Sequence, residues 1–374
     1  MLRAIAIAWV MIYHASLYSL APQQNPLVGF GWMGVDLFFV LSGFLIAGQL
    51  LRPMAEMRRP DYRRFFWRRA LRTLPAFVAM LAIYFLMPAW RERSDIQPLW
   101  TFLTFTQNLG LAAMPPRGFS HTWSLCVEEQ FYLAFPLALA LVALRPTPRI
   151  VVGALAGIVL FGMLLGAWLW LAHVASPPFD IAGDPDSGPY MRLIYYPTWS
   201  RLDGLVAGVG IAAMQVFRPA WWARLGARPN LGLAVGAAGV VAAAVLFQNE
   251  IGSFFAAVFG YPMIAASMAL VVASGASPRS IIGRRAIPGV GALAAGSYSL
   301  YLSHKMVLHA VAVAAAGWPP AAQARALPAA LLCAAAAGAA LYWIIERPFL
   351  ELRDRLAGRS RTPLAPEPVA APTG

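Results

Sequence analysis

Residues Leu99–Ala112 read LWTFLTFTQNLGLA, and the way this stretch lies decides the topology of the chain. It is apolar, but it is short for a span and carries Gln107 and Asn108. A spanning helix needs about 20 mainly apolar residues. Around it lie apolar segments at approximately 4–20, 30–51, 72–90, 123–144, 150–173, 195–217, 230–247, 252–273, 289–315 and 326–345. The stretch 52–72 between the second and third holds Arg52, Arg58, Arg59, Arg63, Arg64, Arg68, Arg69 and Arg72. Basic loops stay on the cytoplasmic side, so this one is internal and the linker 21–29, without a basic residue, is external. If 99–112 spans, the basic groups Arg145/Arg149, Arg218/Arg224/Arg228 and Arg279/Arg284/Arg285 all fall outside. If it lies at or dips into the outer interface, all three fall inside, together with Arg347, Arg353, Arg355, Arg359 and Arg361. The second reading obeys the rule everywhere. It predicts an all-α, polytopic transmembrane bundle of about ten spanning helices with both termini cytoplasmic.

Composition agrees with a bilayer. The 374 residues are 60% hydrophobic and 12% charged, against roughly 25% charged in soluble domains. The net charge of +13 sits in short segments between apolar runs, a topogenic pattern and not a nucleic-acid surface. Lys305 is the one lysine among 29 basic residues, a compositional bias more than a mechanism. Cys126 and Cys333 lie in apolar runs and offer neither a disulfide framework nor metal-site spacing. The first 21 residues have signal-peptide features, but the segment is long enough to span and His14 interrupts its core, so it reads as a helix that stays. Residues 1–347 form the expected membrane domain. Residues 348–374 form a cytoplasmic tail, Pro/Ala-rich and expected to be disordered after about 361. The external loop 174–194 carries Asp180, Asp184 and Asp186. No solenoid period or inverted repeat is visible.

Ionisable groups inside membrane segments are costly and are functional candidates by default. The predicted topology puts His14, Asp36, Glu128, Arg201, Asp203 and His304 in the outer half of the bilayer. Glu128 lies about 7–8 Å below Trp123 at 1.5 Å per residue. Arg3 and His14, eleven residues apart, share one helix face and are separated by roughly 16 Å. Ser124, Glu128 and Tyr132 follow an i, i+4, i+8 stripe, with Glu129 about a quarter-turn away. Ser297, Tyr301 and His304 share another face. Structural alternatives stay open: His14 as a core histidine bonded to a carbonyl, Glu128 or Glu129 as a cap or a partner of Arg201, Asp36–Arg201 as an ion pair that only braces the fold. His121 and His173 read as interfacial and are assigned nothing. Arg64, Arg68 and Arg72 also fall at i, i+4, i+8, with Arg69 adjacent. Their planar paired donors suit phosphate, whether of a lipid headgroup or of a phosphorylated cofactor.

Several motifs together resemble one family, the integral-membrane acyltransferase family 3, or O-antigen acetylase-like group. They are LRAIAIAWVMIYH (2–14), GVDLFFVLSGFLI (34–46), RRALRTLP (68–75), TWSLCVEEQFYLAFP (122–136), SRLDGLVAG (200–208), SYSLYLSH (297–304) and ERPF (346–349). Each is weak alone, but they occur in the family's order and cover nearly the whole chain. Family members carry a Leu-Asp-Gly-Leu-type lead-in before the arginine, where this chain has Met1-Leu2. The resemblance implies a domain of about ten helices that moves an acyl group, commonly acetyl, from cytoplasmic acyl-CoA to a hydroxyl at the outer face of a bacterial inner membrane. Acceptors in the family are usually envelope or exported glycans. Its Arg-x10-His signature carries over to Arg3 and His14, and its Arg-x-x-Arg element, associated with the CoA end, to Arg69 and Arg72. No hydrolase-like stretch follows Glu346 here, so the membrane domain is expected to carry the chemistry.

These readings combine into one expectation. His14 is the general base, Glu128 orients it or the acceptor hydroxyl, and Arg3 and Asp36 shape the catalytic site. Arg64, Arg68, Arg69 and Arg72 bind acyl-CoA. Glu129, Arg201, Asp203, Tyr301 and His304 are candidates for acceptor binding. Ser42 and Ser124 are hydroxyls available to a covalent acyl-enzyme, without evident activation. No metal is implied. The rival from another class is a transporter or flippase for a lipid-linked sugar or other anion. A membrane acyltransferase of unrelated fold is a third reading.

Overall fold

The stretch that decides the topology does not form a spanning helix. Leu99–Leu103 is one short helix and Gln107–Leu109 a single 3-10 turn, separated at Phe105 by a left-handed φ of 52°. Gln107 and Asn108 are fully buried. Asn108 donates to the Tyr196 carbonyl and to Thr198 Oγ1, and accepts from Gln130 Nε2. Its amide therefore ties the turn to its neighbours, as a buried polar group requires.

The computed structural model describes residues 1–109, 111, 117–143, 147–175, 188–249, 252–284, 287–319, 322 and 325–356. Arg145, Asp180, Asp184, Asp186, Arg285 and the tail from 357 lie outside the described residues. Among the described residues every regular element is helical. The longer helices are α1 (Leu2–Ser16), α2 (Gly34–Ala55), α3 (Tyr62–Leu86), α4 (Trp123–Ala143), α5 (Pro148–Leu169), α6 (Asp203–Phe217), α7 (Pro229–Asn249), α8 (Tyr261–Gly275), α9 (Ser297–Ala315), α10 (Ala326–Leu341) and α11 (Arg347–Leu356). Among the described residues seven helical stretches are long and apolar enough to cross a membrane by length and composition, and α1 and α6 are shorter apolar helices. The chain is a multi-pass membrane protein. On α5 large side chains such as Leu160, Phe161 and Leu164 are exposed, the pattern of a helix that faces lipid.

Several boundaries differ from the hydropathy pattern, each for a local reason. Helix α3 starts ten residues before its apolar segment and takes in the arginine cluster. Asp61 caps it by accepting from the Arg64 N–H, and arginine is a good helix former. The segment at 195–217 is broken at Pro197, and a 3-10 turn at Thr198–Ser200 puts Arg201 just before α6. The last segment runs through a π-helical turn at Tyr342–Glu346 straight into α11.

Helices α2 and α6 pack backbone to backbone. A Cβ on Gly208 would lie 2.6 Å from the Phe44 nitrogen, and one on Gly43 2.9 Å from the Leu205 carbonyl carbon. Two glycines facing across a helix pair let the backbones touch, the small-residue packing of membrane helices. This contact sets the distance between Asp36 on α2 and Arg201 at the head of α6.

Candidate functional site

Helices α1, α2, α3, α4 and α9 surround a cavity of about 70 Å³, room for a few waters. Arg3, from the first turn of α1, and Arg69 and Arg72, three apart on α3, line it. Ser42 comes from α2, Glu128 and Tyr132 from successive turns of α4, and Ser297, Tyr298 and Tyr301 from the start of α9. The helix registers set an axis. Arg3 marks one end of α1, and His14 lies eleven residues and roughly 16 Å along it toward the other.

The middle of the cavity is a carboxylate held by two hydroxyls. Ser42 Oγ donates to Glu128 Oε1 at 2.9 Å and Tyr132 OH to Oε2 at 2.9 Å. The two hydroxyls are 2.8 Å apart. Glu128 thus has both oxygens engaged within the cavity, and its partners there do not include His14. Glu129, a quarter-turn on, faces Arg69 at 3.5 Å. Arg69 stacks its guanidinium 3.6 Å above the Tyr132 ring, and its Nε is buried without a partner. Arg72 sits in the field of Arg3, Arg69, Arg353 and Glu346. Arg64 and Arg68 lie nearer the start of α3, and Arg64 is exposed.

Beyond the cavity three imidazoles gather. His14 Nδ1 is 2.7 Å from His304 Nε2. The His121 ring lies 6.1 Å from the His14 ring and 5.1 Å from that of His304, centre to centre. His304 is fully buried, and its Nδ1 faces the carbonyls of Leu300 at 3.1 Å and Tyr301 at 2.8 Å. Both nitrogens of His121 are buried without a partner. Tyr301 OH donates to the His121 carbonyl at 2.6 Å, so the Ser124 hydroxyl, 2.7 Å away, donates to Tyr301. Lys305 Nζ donates to Ser120 Oγ at 2.8 Å. The turn Ser120–Thr122 is therefore pinned to α9 at both Ser120 and His121. From the other side Glu92, 3% exposed, accepts from the Phe119 N–H and from Tyr84 OH.

His121, Lys305 and Glu92 were assigned no role from sequence. The sequence places His121 two residues before Trp123, at the outer interface, which is why it drew no role. Glu346 entered only through its motif. The π-helical turn turns it inward, where Ser299 donates to one oxygen at 2.6 Å and the other is buried without a partner.

Asp36 and Arg201 form a separate unit. Arg201 NH2 donates to Asp36 Oδ1 at 2.7 Å, with exposures of 1% and 4%. The guanidinium lies 4.0 Å from the Tyr261 ring centre, 4.7 Å from Tyr195 and 5.3 Å from Trp123. Asp36 Oδ2 and Arg201 NH1 are buried without partners. Asp203 occupies the first turn of α6, where the helix dipole favours an acid. Among the described residues no group of three or more His, Cys, Asp or Glu is placed to hold a metal ion.

A family model described as an acyltransferase domain matches residues 1–347. The chain is 28% identical over 235 residues to the peptidoglycan O-acetyltransferase OatA of Listeria monocytogenes, covering 58% of this chain and 33% of that protein. It is 30% identical over 170 residues to the O-acetyltransferase OatA of Staphylococcus aureus, covering 41% of this chain and 26% of that protein. The chain thus spans about a third of the length of the curated relatives it matches. No solved structure matches it.

Proposed function

The chain belongs to the acyltransferase family that its residues 1–347 match, and from that premise we propose that it moves an acetyl group from cytoplasmic acetyl-CoA to a hydroxyl of an envelope or exported glycan. The observation that carries this reading is the polarity of the site. Three arginines line one end of a cavity within the helices, and a histidine cluster lies beyond the other. In this reading the chain makes about ten spans in a bacterial inner membrane, with both termini and the arginine end facing the cytoplasm. Arg3, Arg69 and Arg72 hold the donor's phosphates, for which fixed planar guanidinium donors are suited. The cavity leads the thioester toward His14. The acceptor oxygen attacks the thioester carbonyl carbon while His14 takes the hydroxyl proton. The C–S bond then breaks, and the CoA thiolate leaves with that proton as the thiol. Glu128, fixed by Ser42 and Tyr132, orients the reacting groups in the cavity. Asp36 and Arg201 hold α2 against α6. The relatives named O-acetyltransferases support acetyl as the acyl group, and the name of the Listeria protein supports a cell-wall glycan as acceptor.

The test uses oriented membrane vesicles with labelled acetyl-CoA on the cytoplasmic face and native glycan on the other. Label should reach the glycan in wild type and fail to do so in His14→Ala that is still inserted. A wild-type protein that moves no label from any short-chain acyl-CoA, yet carries a lipid-linked sugar across, would make it a transporter.

A further inference from the structure

The contacts of His304 determine where the protons of two rings sit. Its Nδ1 faces the carbonyl oxygens of Leu300 and Tyr301, at 3.1 and 2.8 Å. A carbonyl only accepts, so Nδ1 carries the hydrogen and donates. A neutral imidazole has one N–H, so His304 Nε2 presents a lone pair. The partners of this buried ring are two carbonyls and an imidazole, none of them anionic, so nothing it bonds compensates a second proton. His14 Nδ1 is 2.7 Å from that lone pair. Two bare nitrogens at that distance would repel, so His14 Nδ1 is the donor. The remaining nitrogen of His14, Nε2, is then the bare one.

We propose that His304 is a positioning residue that holds His14 in its Nδ1–H tautomer and aims Nε2 at the acceptor hydroxyl. The inference rests on the acyl-transfer reading above. A general base needs a partner on its far nitrogen to fix tautomer and orientation, the place an acidic group takes in many hydrolases. Here an imidazole takes that place, locked by its own helix turn. The arrangement also separates the two rings by role. His14 is partly exposed, whereas His304 is fully buried with both nitrogens engaged and has none left for an acceptor. Tyr301 supports the lock twice. Its carbonyl accepts from His304 Nδ1, and its hydroxyl fastens the turn that carries His121 against the pair.

Two variants and one spectroscopic readout test this. His304→Gln keeps an acceptor near the position of Nε2, and His304→Leu removes it. Each is reconstituted with acetyl-CoA and glycan acceptor, after size-exclusion chromatography shows it folded. Nitrogen-15 NMR of histidine-labelled protein in nanodiscs, with His14 assigned by difference from His14→Gln, reads which ring nitrogen is bare. The wild-type spectrum should show His14 with Nδ1 protonated and Nε2 bare at neutral pH. His304→Leu should lose about 10²-fold or more in kcat with KM for acetyl-CoA unchanged, and its His14 should populate both tautomers. His304→Gln should keep kcat within about tenfold of wild type. A wild-type His14 carrying its hydrogen on Nε2, a His304→Leu enzyme with wild-type kcat, or a His304→Gln enzyme as slow as His304→Leu would each overturn the proposal. A wild-type protein that transfers no acetyl group sinks the acyl-transfer reading instead, since the nitrogen shifts report the tautomer without turnover.

Discussion

The Asp36–Arg201 pair gives the sharpest separation between a bracing role and a chemical one. Both groups are almost wholly buried, and one 2.7 Å hydrogen bond joins them. Two unit charges at 4 Å attract by about 4 kcal/mol at an effective dielectric of 20, and the cost of drying them consumes much of that. Removing one partner is different, because it strands the other charge. Asp36→Leu or Arg201→Met alone should cost about 3–5 kcal/mol. Arg201→Met should be the worse of the two, since it also removes a cation from three aromatic rings, at about 0.5–2 kcal/mol for each good contact. The double variant leaves no buried charge, so it should be more stable than either single one. The unpartnered Asp36 Oδ2 and Arg201 NH1 strengthen that expectation, because the native pair is only half satisfied. The assay is thermal unfolding of purified protein in detergent, followed by size-exclusion chromatography, beside acetyl transfer in vesicles. Stability and activity should fall together in the single variants and partly return together in the double. If the single variants unfold like wild type while transfer is abolished, the pair belongs to the reaction and the bracing argument fails.

Three further outcomes follow from the geometry. Gly208→Ala puts a methyl group 2.6 Å from the Phe44 nitrogen, so α2 and α6 must part and stability should drop by about 1–3 kcal/mol, read by the same unfolding assay. Arg69→Lys loses the planar group stacked on Tyr132; KM for acetyl-CoA should rise roughly tenfold with a smaller change in kcat, and a donor affinity equal to wild type would remove Arg69 from the donor site. Glu92→Ala leaves the Phe119 N–H and the Tyr84 hydroxyl without their buried acceptor, which should cost about 2–3 kcal/mol in thermal unfolding, while Glu92→Gln should cost less.

Much of the site was legible because membrane depth is a one-dimensional property. Once the side of each loop is assigned, counting residues along a helix puts His14 and His304 at one level and Arg3, Arg69 and Arg72 at another. The same counting marked Asp36 and Arg201 as a possible pair. What it cannot give is rotation about each helix relative to its neighbours. The α4 stripe was correctly read as Ser124, Glu128 and Tyr132, yet nothing in that spacing says that Ser42 and Tyr132 hold both oxygens of Glu128. His121 reads from sequence as interfacial, whereas the Ser120–Thr122 turn places its ring against those of His14 and His304. Lys305 was read as composition, although its ammonium is held on Ser120 beside the histidines. Helix α3 was started too late because hydropathy sees a row of arginines as a loop. Arginine is nonetheless a good helix former, and Asp61 caps the start, so the helix takes in the row.

The same arginine row shows where topology ends and function begins. A topogenic signal needs only positive charge on the correct side of the membrane, and it is best placed where water reaches it. Arg58, Arg59, Arg63 and Arg64 meet that need, exposed around the start of α3. Arg69 and Arg72 do not. They are one and two turns farther along the helix, turned toward a cavity, with the Arg69 Nε shielded from any partner. Drawing a guanidinium out of water costs several kcal/mol unless other groups compensate it. Glu129 at 3.5 Å and the face of Tyr132 compensate Arg69 in part. Glu128 lies in the same cavity as Arg3 and Arg72, and Glu346 is buried nearby on its Ser299 hydrogen bond. Burying these three cations beside three carboxylates is a folding cost that orientation alone does not require. In the acyl-transfer reading proposed above, these three arginines, and not the exposed ones, are therefore the groups to remove when donor binding is measured.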